Sequence, residues 1–223
     1  MSGTIVGDMR LRDSLMAGLA GQLGRPSGLR GRAVGAMLNR ANRNTVGQAV
    51  DALSLPSGAV TADIGFGGGV GLDLLLRAVG GTGTVHGVDV SQTMLTAAAS
   101  RFRRDIRSGR LHLHNASMSE LPLPDDSLDG LLTVNTIYFV PELAGPFAEF
   151  TRVVRDTGRV VIGLGHPNAM EKEPYTAYGF RIRPVADVIE ALSSAGLRVE
   201  QDVRVGQGAD AVHLLVAAPL AAP

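Results

Sequence analysis

The chain has 223 residues, with 21 basic and 21 acidic side chains and therefore no formal net charge at neutral pH. That length suits one large α/β domain with a substantial core, and the balanced charge provides no overall field to attract nucleic acid. Cysteine is absent, which excludes disulfides, thiolate ligands and thiol nucleophiles. The five histidines lack the paired spacing of a zinc site, so we expect no metal.

The first 54 residues contain apolar side chains at helical spacing, which predicts helices over 8–23 and 30–53. Two arginines precede a short apolar stretch, as in a signal peptide, but Gly18 interrupts that stretch and an amphipathic helix explains it better. No run approaches the roughly 18 apolar residues of a membrane span. We therefore expect a cytoplasmic protein without stable membrane insertion.

The stretch from Val60 to Gly71 organises the rest of the chain. An apolar run ends in Asp63 within a strand predicted over 59–64, glycines follow, and a helix over 70–79 comes next. This order directs backbone N–H groups and a helix N-terminus at a ligand. Glycine is needed there because a Cβ atom would keep the backbone away from the ligand, or would strain a positive φ angle.

The spacing of these glycines distinguishes between ligands. A dinucleotide fingerprint would need its third glycine at the position of Val70 or Leu72. The pattern is instead an acid followed by alternating glycines, D-x-G-x-G-x-G, which resembles motif I of the class I S-adenosylmethionine (SAM)-dependent methyltransferases. A glycine-rich loop alone can be a tight turn, but the preceding acid favours SAM. The resemblance implies cofactor contacts by Asp63, Gly65, Phe66, Gly67 and Gly69.

The next predicted strand, 84–90, places Asp89 at its carboxyl end, close to the roughly 20-residue offset at which an acid meets the ribose hydroxyls. A carboxylate can accept hydrogen bonds from both hydroxyls. An aspartate in this position is otherwise often a helix N-cap, but Ser91 can cap the following helix, 92–104. We therefore predict that Asp89 binds the ribose.

The resemblance continues beyond Asp89. In the family, hydrophobic residues here flank the adenine ring, which implies that role for Val90 and Met94; core packing is the alternative. Residues 121–129 are similar to the family stretch L-P-F-P-D-x-S-F-D. In that alignment Ser117 stands where an acid binds the adenine amino group, and Met118 stands where a backbone N–H meets the ring. A serine can still accept this hydrogen bond, although more weakly than a carboxylate.

The strand predicted over 130–134 opens into Asn135-Thr136-Ile137-Tyr138, which lies where the family has its methyl-transfer site. This is not the N-P-P-Y tetrapeptide of enzymes that methylate exocyclic or amide nitrogens, so methylation of nucleic-acid amino groups is disfavoured. The resemblance implies that Asn135, Thr136 and Tyr138 face the sulfonium and the substrate.

The connection over 165–184 is long for a compact domain, and such connections are usually functional. His166, directly after a strand predicted over 159–164, and Tyr138 are candidate bases for an acceptor that must lose a proton. A lone histidine can equally be structural. Apolar residues that could cover an acceptor occur here and in the N-terminal helices, namely Met16, Met37, Met170, Tyr175 and Phe180.

The remaining predicted elements are a strand over 111–115, helices over 142–155 and 185–195, and strands over 197–204 and 211–217. Together they predict an α/β fold with a seven-stranded, mostly parallel, doubly wound sheet, an antiparallel last strand, and added N-terminal helices. The resemblance covers about residues 55–217. It implies a Rossmann-like SAM-binding domain over 55–223 and an N-terminal helical cap over 1–54, for which simple packing onto the sheet is the alternative.

The expected function is that of a SAM-dependent methyltransferase of the small-molecule type, resembling the ubiquinone/menaquinone methyltransferase group. It would move a methyl group to a small, partly apolar metabolite by in-line displacement, with O- or C-methylation favoured and S-adenosylhomocysteine (SAH) as the product. The alternatives are a non-catalytic SAM-binding module and, less favoured, an NAD(P)-dependent oxidoreductase. We expect no nucleic-acid partner, and the sequence leaves open whether the protein is a homodimer.

Overall fold

The structure, a computed structural model, describes residues 3–24, 26–206, 208 and 211–220, and for 3–12 and 29–41 it describes the backbone alone. The strands are β1 (Val60–Ile64), β2 (Thr84–Asp89), β3 (Leu111–Asn115), β4 (Leu128–Val134), β5 (Val154–Gly165), β6 (Leu197–Val205) and β7 (Val212–Pro219). The α-helices are α1 (Gly3–Gly24), α2 (Gly28–Leu53), α3 (Val70–Ala78), α4 (Gln92–Arg101), α5 (Arg103–Arg107), α6 (Ala144–Val153), α7 (Pro167–Met170) and α8 (Val185–Ser194).

The seven strands form one sheet in the order β3-β2-β1-β4-β5-β7-β6. Neighbouring strands from β3 to β5 run parallel, and β7 runs antiparallel to both β5 and β6. The predicted fold is therefore confirmed. The strand order reverses between β1 and β4, and in open α/β sheets ligands bind outside the carboxyl ends of the strands at such a point. Asp63, Asp89 and Asn135 meet there because they lie at the ends of β1, β2 and β4.

Helices cover the sheet on both faces, and each face has its own hydrophobic layer. One layer is built around Phe147 of α6 and Val188 of α8. The other contains Leu72 and Leu75 of α3 together with Ala49 of α2. The last turns of α2 therefore belong to the core of the domain. Among the α1 side chains that the structure describes, Ala20 is buried but belongs to neither layer.

Several predicted bounds differ from the observed ones. The helix predicted over 92–104 is divided into α4 and α5, because Phe102 leaves the helical region with φ −104° and ψ 27°. The Phe102 ring turns inward, where a Cβ atom on Gly69 would lie 3.2 Å from its edge. The helix predicted over 142–155 ends at Val153, since Val154 is extended and begins β5.

Three histidines of β2 and β3 lie side by side on one face of the sheet. The His86 ring stacks on His112 at 5.2 Å and on His114 at 5.3 Å, and burial is the main reason that the pKa of His86 falls to about 4. Within the described part of the chain, no three His, Asp or Glu side chains form a group that could hold a metal ion. Of the helices that the structure describes, none is long and apolar enough to cross a membrane.

Candidate cofactor and acceptor site

A cavity of about 550 Å³ lies at the carboxyl ends of β1, β2 and β4. Its wall includes every predicted cofactor residue except Gly69, and it also includes Tyr138. His166 is not part of the wall. The sheet topology explains this convergence, because the carboxyl ends of parallel strands meet at one edge.

The glycine loop between β1 and α3 has the left-handed backbone that its sequence predicts. Gly65, Gly67 and Gly69 have φ angles of +74°, +50° and +77°. A Cβ atom on Gly65 would lie 2.4 Å from the Thr136 methyl carbon, so no side chain fits there. A Cβ atom on Gly67 would meet no protein atom within 4 Å, and since Gly67 belongs to the wall it would occupy the space left for a ligand. The loop is therefore a cradle that only glycine keeps open.

The Asp63 carboxyl is buried beneath this loop, with 5% of the residue exposed. A Cβ atom on Gly71, in the first turn of α3, would lie 2.1 Å from its Oδ2 atom. Glycine at position 71 thus makes room for the acid. Burial and, second, the charge of Asp89 raise the pKa of Asp63 to about 8. At neutral pH the free protein therefore favours the protonated carboxyl, and a ligand cation nearby would favour its ionised form.

The Asp89 carboxylate connects the glycine loop to the start of α4. Its Oδ2 atom accepts a hydrogen bond from Gly67 N at 2.9 Å, and its Oδ1 atom accepts one from Ser91 N at 2.8 Å. Burial raises the pKa of Asp89, while these two hydrogen bonds lower it. Each oxygen keeps a further lone pair, which a ribose hydroxyl could use. The predicted N-cap is also found, because Ser91 Oγ accepts from Met94 N at 3.3 Å.

The residues predicted to contact adenine differ in exposure. Val90 is an exposed apolar residue at the cavity. Met94 is buried in the hydrophobic layer that contains α3, and it also lines the cavity. Ser117 is exposed, and its hydroxyl accepts a hydrogen bond from Ser119 N at 3.2 Å, while Met118 is buried. These contacts with adenine stay predictions.

The segment after β4 contains a feature that sequence reasoning missed. Asn135 has a left-handed backbone, with φ +58°, and its N–H donates to the Gly163 carbonyl at 2.8 Å. Asparagine is one of the few residues with a side chain that adopts this conformation readily. The turn brings Thr136 against Gly65, so the end of β4 forms one wall of the cofactor side of the cavity.

The two candidate bases occupy different places. Tyr138 lines the cavity, but its Oη atom accepts a hydrogen bond from Gly165 N at 2.6 Å, and burial is the main reason that its pKa rises to about 12. The side chain therefore keeps its proton at neutral pH. His166 caps α7 by accepting from Asn168 N, and its ring stacks on His213 at 5.4 Å. A base role for either residue stays a prediction, and this geometry does not favour it.

The far side of the cavity is apolar and aromatic. The ring of Phe180 contacts three neighbours, Tyr138 at 5.8 Å, Phe139 at 4.6 Å and Tyr175 at 5.6 Å between ring centroids. We call these four residues the aromatic wall. Of the apolar residues proposed to cover an acceptor, Met170, Tyr175 and Phe180 line the cavity; Met16 does not, and the Met37 side chain lies outside the described residues. Phe139 was not anticipated from the sequence.

Residues 62–162 match the model of a family described as a methyltransferase domain. This stretch is similar to methyltransferase domains, and the resemblance predicted from the sequence is confirmed. The chain is 31% identical over 143 residues to a demethylmenaquinone methyltransferase of Oceanobacillus iheyensis, covering 63% of this chain and 60% of the relative. It is 29% identical over 164 residues to a probable S-adenosylmethionine-dependent methyltransferase of Mycolicibacterium smegmatis, covering 71% and 59%.

The chain also has the fold of solved methyltransferases. A SAM-dependent methyltransferase from Aquifex aeolicus superposes with a TM-score of 0.72 at 21% identity, covering 85% of this chain and 98% of that one. The chain spans 32% to 60% of the length of the first four curated relatives that it matches.

An experiment can distinguish ribose binding by Asp89 from its structural hydrogen bond with the glycine loop. We expect Asp89→Asn to weaken SAH binding on the order of tenfold to a hundredfold, because a hydrogen bond to a charged acceptor is worth roughly 1.5–3 kcal/mol. Wild-type protein should prefer SAH over the analogue that lacks the ribose hydroxyls, and the variant should lose that preference. Isothermal calorimetry measures the affinity of each of the two proteins for each of the two ligands.

The matched control for this experiment is Asp73→Asn, which removes an acid of α3 that pairs with Arg77 and does not line the cavity. It should bind SAH as wild type does. If Asp89→Asn weakens both ligands by the same factor, the carboxylate only holds the glycine loop and does not bind the ribose.

Proposed function

We propose that the protein transfers a methyl group from SAM to a small, partly apolar metabolite, with O- or C-methylation favoured. The proposal depends on one observation, which is that two different surfaces line the same cavity. One surface is the glycine cradle with its two buried carboxylates, and the other is the aromatic wall. A cavity of about 550 Å³ falls within the usual range for small-molecule sites.

The residues of the cradle fit SAM in their chemistry. Asp89 offers free lone pairs for ribose hydroxyls, and the open side of Gly67 leaves room for a ligand close to the backbone. Asp63 would ionise beside an ammonium group, which offsets the repulsion from Asp89. In this proposal Val90, Met94, Ser117 and Met118 hold the adenine, and Asn135 and Thr136 face the sulfonium.

When bound, SAM supplies a methyl group on a sulfonium, which is already a strong electrophile. The contribution proposed for the chain is to align the acceptor with that methyl and to exclude water, since orientation alone can supply much of the barrier reduction. Tyr138 keeps its proton and His166 is not part of the wall, so this proposal assigns neither as a base, and the acceptor would release its proton to solvent water as it enters the site. The demethylmenaquinone methyltransferases among the relatives are named for a quinone-type acceptor, and an aromatic wall would suit that chemical class.

We further propose that α1 and the connection after it cover the acceptor. Leu23, Gly24 and Pro26 belong to the cavity wall, and a Cβ atom on Gly24 would lie 2.7 Å from the Phe139 ring. This N-terminal segment is attached at two further places. The Ser91 hydroxyl donates to the Pro26 carbonyl, and the Tyr178 hydroxyl donates to Asp13 at 2.8 Å.

Two measurements test the proposed activity. Calorimetry should show binding of SAH and weaker or no binding of NADH. Incubation of the protein and methyl-labelled SAM with a metabolite extract should give a labelled product that mass spectrometry can identify. NADH binding tighter than SAH binding would favour an oxidoreductase, and SAH binding with no labelled product from any extract would favour a non-catalytic SAM-binding module.

The cover can be tested by removing residues 1–24. This truncation deletes α1 but keeps Pro26 and Gly28, whose backbone atoms hydrogen-bond to Ser91 and Thr93. We expect SAH affinity to stay within a fewfold of the full chain, because the cradle is unchanged. Transfer to the acceptor found in the extract should fall by about a hundredfold or more, because the acceptor side opens to water.

The result that would contradict a cover is full turnover and unchanged acceptor affinity in the truncated protein. α1 would then serve packing or association. Loss of SAH binding together with loss of the folded state would instead assign α1 to the stability of the domain.

A further inference from the structure

The hydroxyl group of Tyr138 is the most deeply buried polar group on the aromatic wall. The residue is 3% exposed, and its ring contacts Phe180 at a centroid distance of 5.8 Å. Its Oη atom accepts the Gly165 N–H at 2.6 Å. The oxygen is therefore fixed in position by the end of β5.

This hydrogen bond leaves the hydroxyl hydrogen unused. A phenol has one donor hydrogen and two acceptor lone pairs, and Gly165 engages only a lone pair. Within the described part of the chain, no protein atom accepts the Tyr138 hydrogen. A buried donor without an acceptor is costly, so native proteins rarely leave one without a water molecule or ligand as partner.

The surroundings limit where such a partner can come from. Tyr138 belongs to the cavity wall and its ring contacts Phe180, and the wall also contains the apolar or aromatic residues Phe139, Met170 and Tyr175. Burial is the main reason that the pKa of Tyr138 rises to about 12. The hydrogen bond from Gly165 lowers this pKa, and the nearby Tyr175 raises it slightly. The group thus remains a donor throughout the neutral pH range.

We propose that Tyr138 donates a hydrogen bond to an oxygen atom of the methyl acceptor. The acceptor is then an otherwise apolar molecule that presents a carbonyl or hydroxyl oxygen to the inner end of the aromatic wall. This inference rests on the proposed function, and it makes Tyr138 a substrate-binding residue in place of a base. It also orients the acceptor, because one fixed donor and an apolar wall allow few poses.

A matched pair of small molecules tests the donor without knowledge of the natural acceptor. α-Tetralone and tetralin share one bicyclic frame, but only tetralone has a carbonyl oxygen. Their affinities are measured on SAH-saturated wild-type protein and on SAH-saturated Tyr138→Phe. We expect the substitution to weaken tetralone roughly three- to tenfold, as for one neutral hydrogen bond, and to leave tetralin within about twofold.

Each outcome of this experiment is decisive. An equal loss for both ligands means that Tyr138 only shapes the wall, and no change for either means that its hydroxyl is not a donor to the ligand; both results overturn the proposal. Failure of wild-type protein to bind either probe overturns it as well. SAH binding is measured first in each protein, so failure of the proposed function is recognised separately.

A second variant covers the case in which Tyr138→Phe does not fold because Gly165 loses its acceptor. Site-specific meta-fluorotyrosine at position 138 keeps the ring and the Gly165 contact, while its more acidic phenol is a stronger donor. Tetralone should then bind more tightly than to wild type and tetralin should not. Unchanged tetralone affinity in a folded fluorinated protein would overturn the proposal.

Discussion

Two carboxylates, those of Asp63 and Asp89, are buried at the ends of neighbouring parallel strands, and the geometry of the site depends on them. Room for Asp63 requires glycine at position 71. Asp89 fixes the glycine loop through Gly67 N and fixes the start of α4 through Ser91 N. The loop thus takes its shape from two buried acids, and an ammonium group of a ligand beside them would favour the ionised form of Asp63.

The acceptor side is coupled to the same strand ends. Thr136 lies against Gly65, and two residues later Tyr138 reaches across to Gly165 at the end of β5. Arg183 fixes this segment from outside by donating to the carbonyls of Ile137, Val140 and Pro141. A ligand on the cradle and a ligand at the aromatic wall would therefore both contact the segment 135–138, and alignment of two reactants requires such a shared support.

Much of this arrangement could be predicted from the sequence. Apolar runs that end in an acid or a polar residue indicated parallel strands, and the topology of such a sheet brings Asp63, Asp89 and Asn135 to one edge. Glycine in the loop indicated close backbone approach to a ligand or a positive φ angle, and Gly65, Gly67 and Gly69 have positive φ angles. Ser91 was predicted as the cap of α4 because serine commonly occupies that position.

What could not be predicted depends on tertiary contacts and side-chain direction. His166 follows a strand end, where ligands bind in open α/β sheets, but its ring caps α7 and stacks on His213 and is not part of the cavity wall. The helix after Ser91 ends early because the Phe102 ring turns towards the glycine loop, a contact that helical periodicity does not report. The hydrogen bond between Tyr138 and Gly165 joins residues far apart in sequence, so no local sequence pattern predicts it.

Asp63 should hold a proton in the free protein, and the ammonium group of SAH or SAM bound beside it should favour its ionised form. NMR of protein with isotope-labelled aspartate carboxyls, assigned with Asp63→Asn, measures this titration directly. In the free protein the Asp63 carboxyl should titrate near pH 8, and in SAH-saturated protein its midpoint should fall by at least about one pH unit, since a nearby cation favours the ionised form. A midpoint near the ordinary value of 3.8 in the free protein, or the same midpoint with and without SAH, would contradict the account.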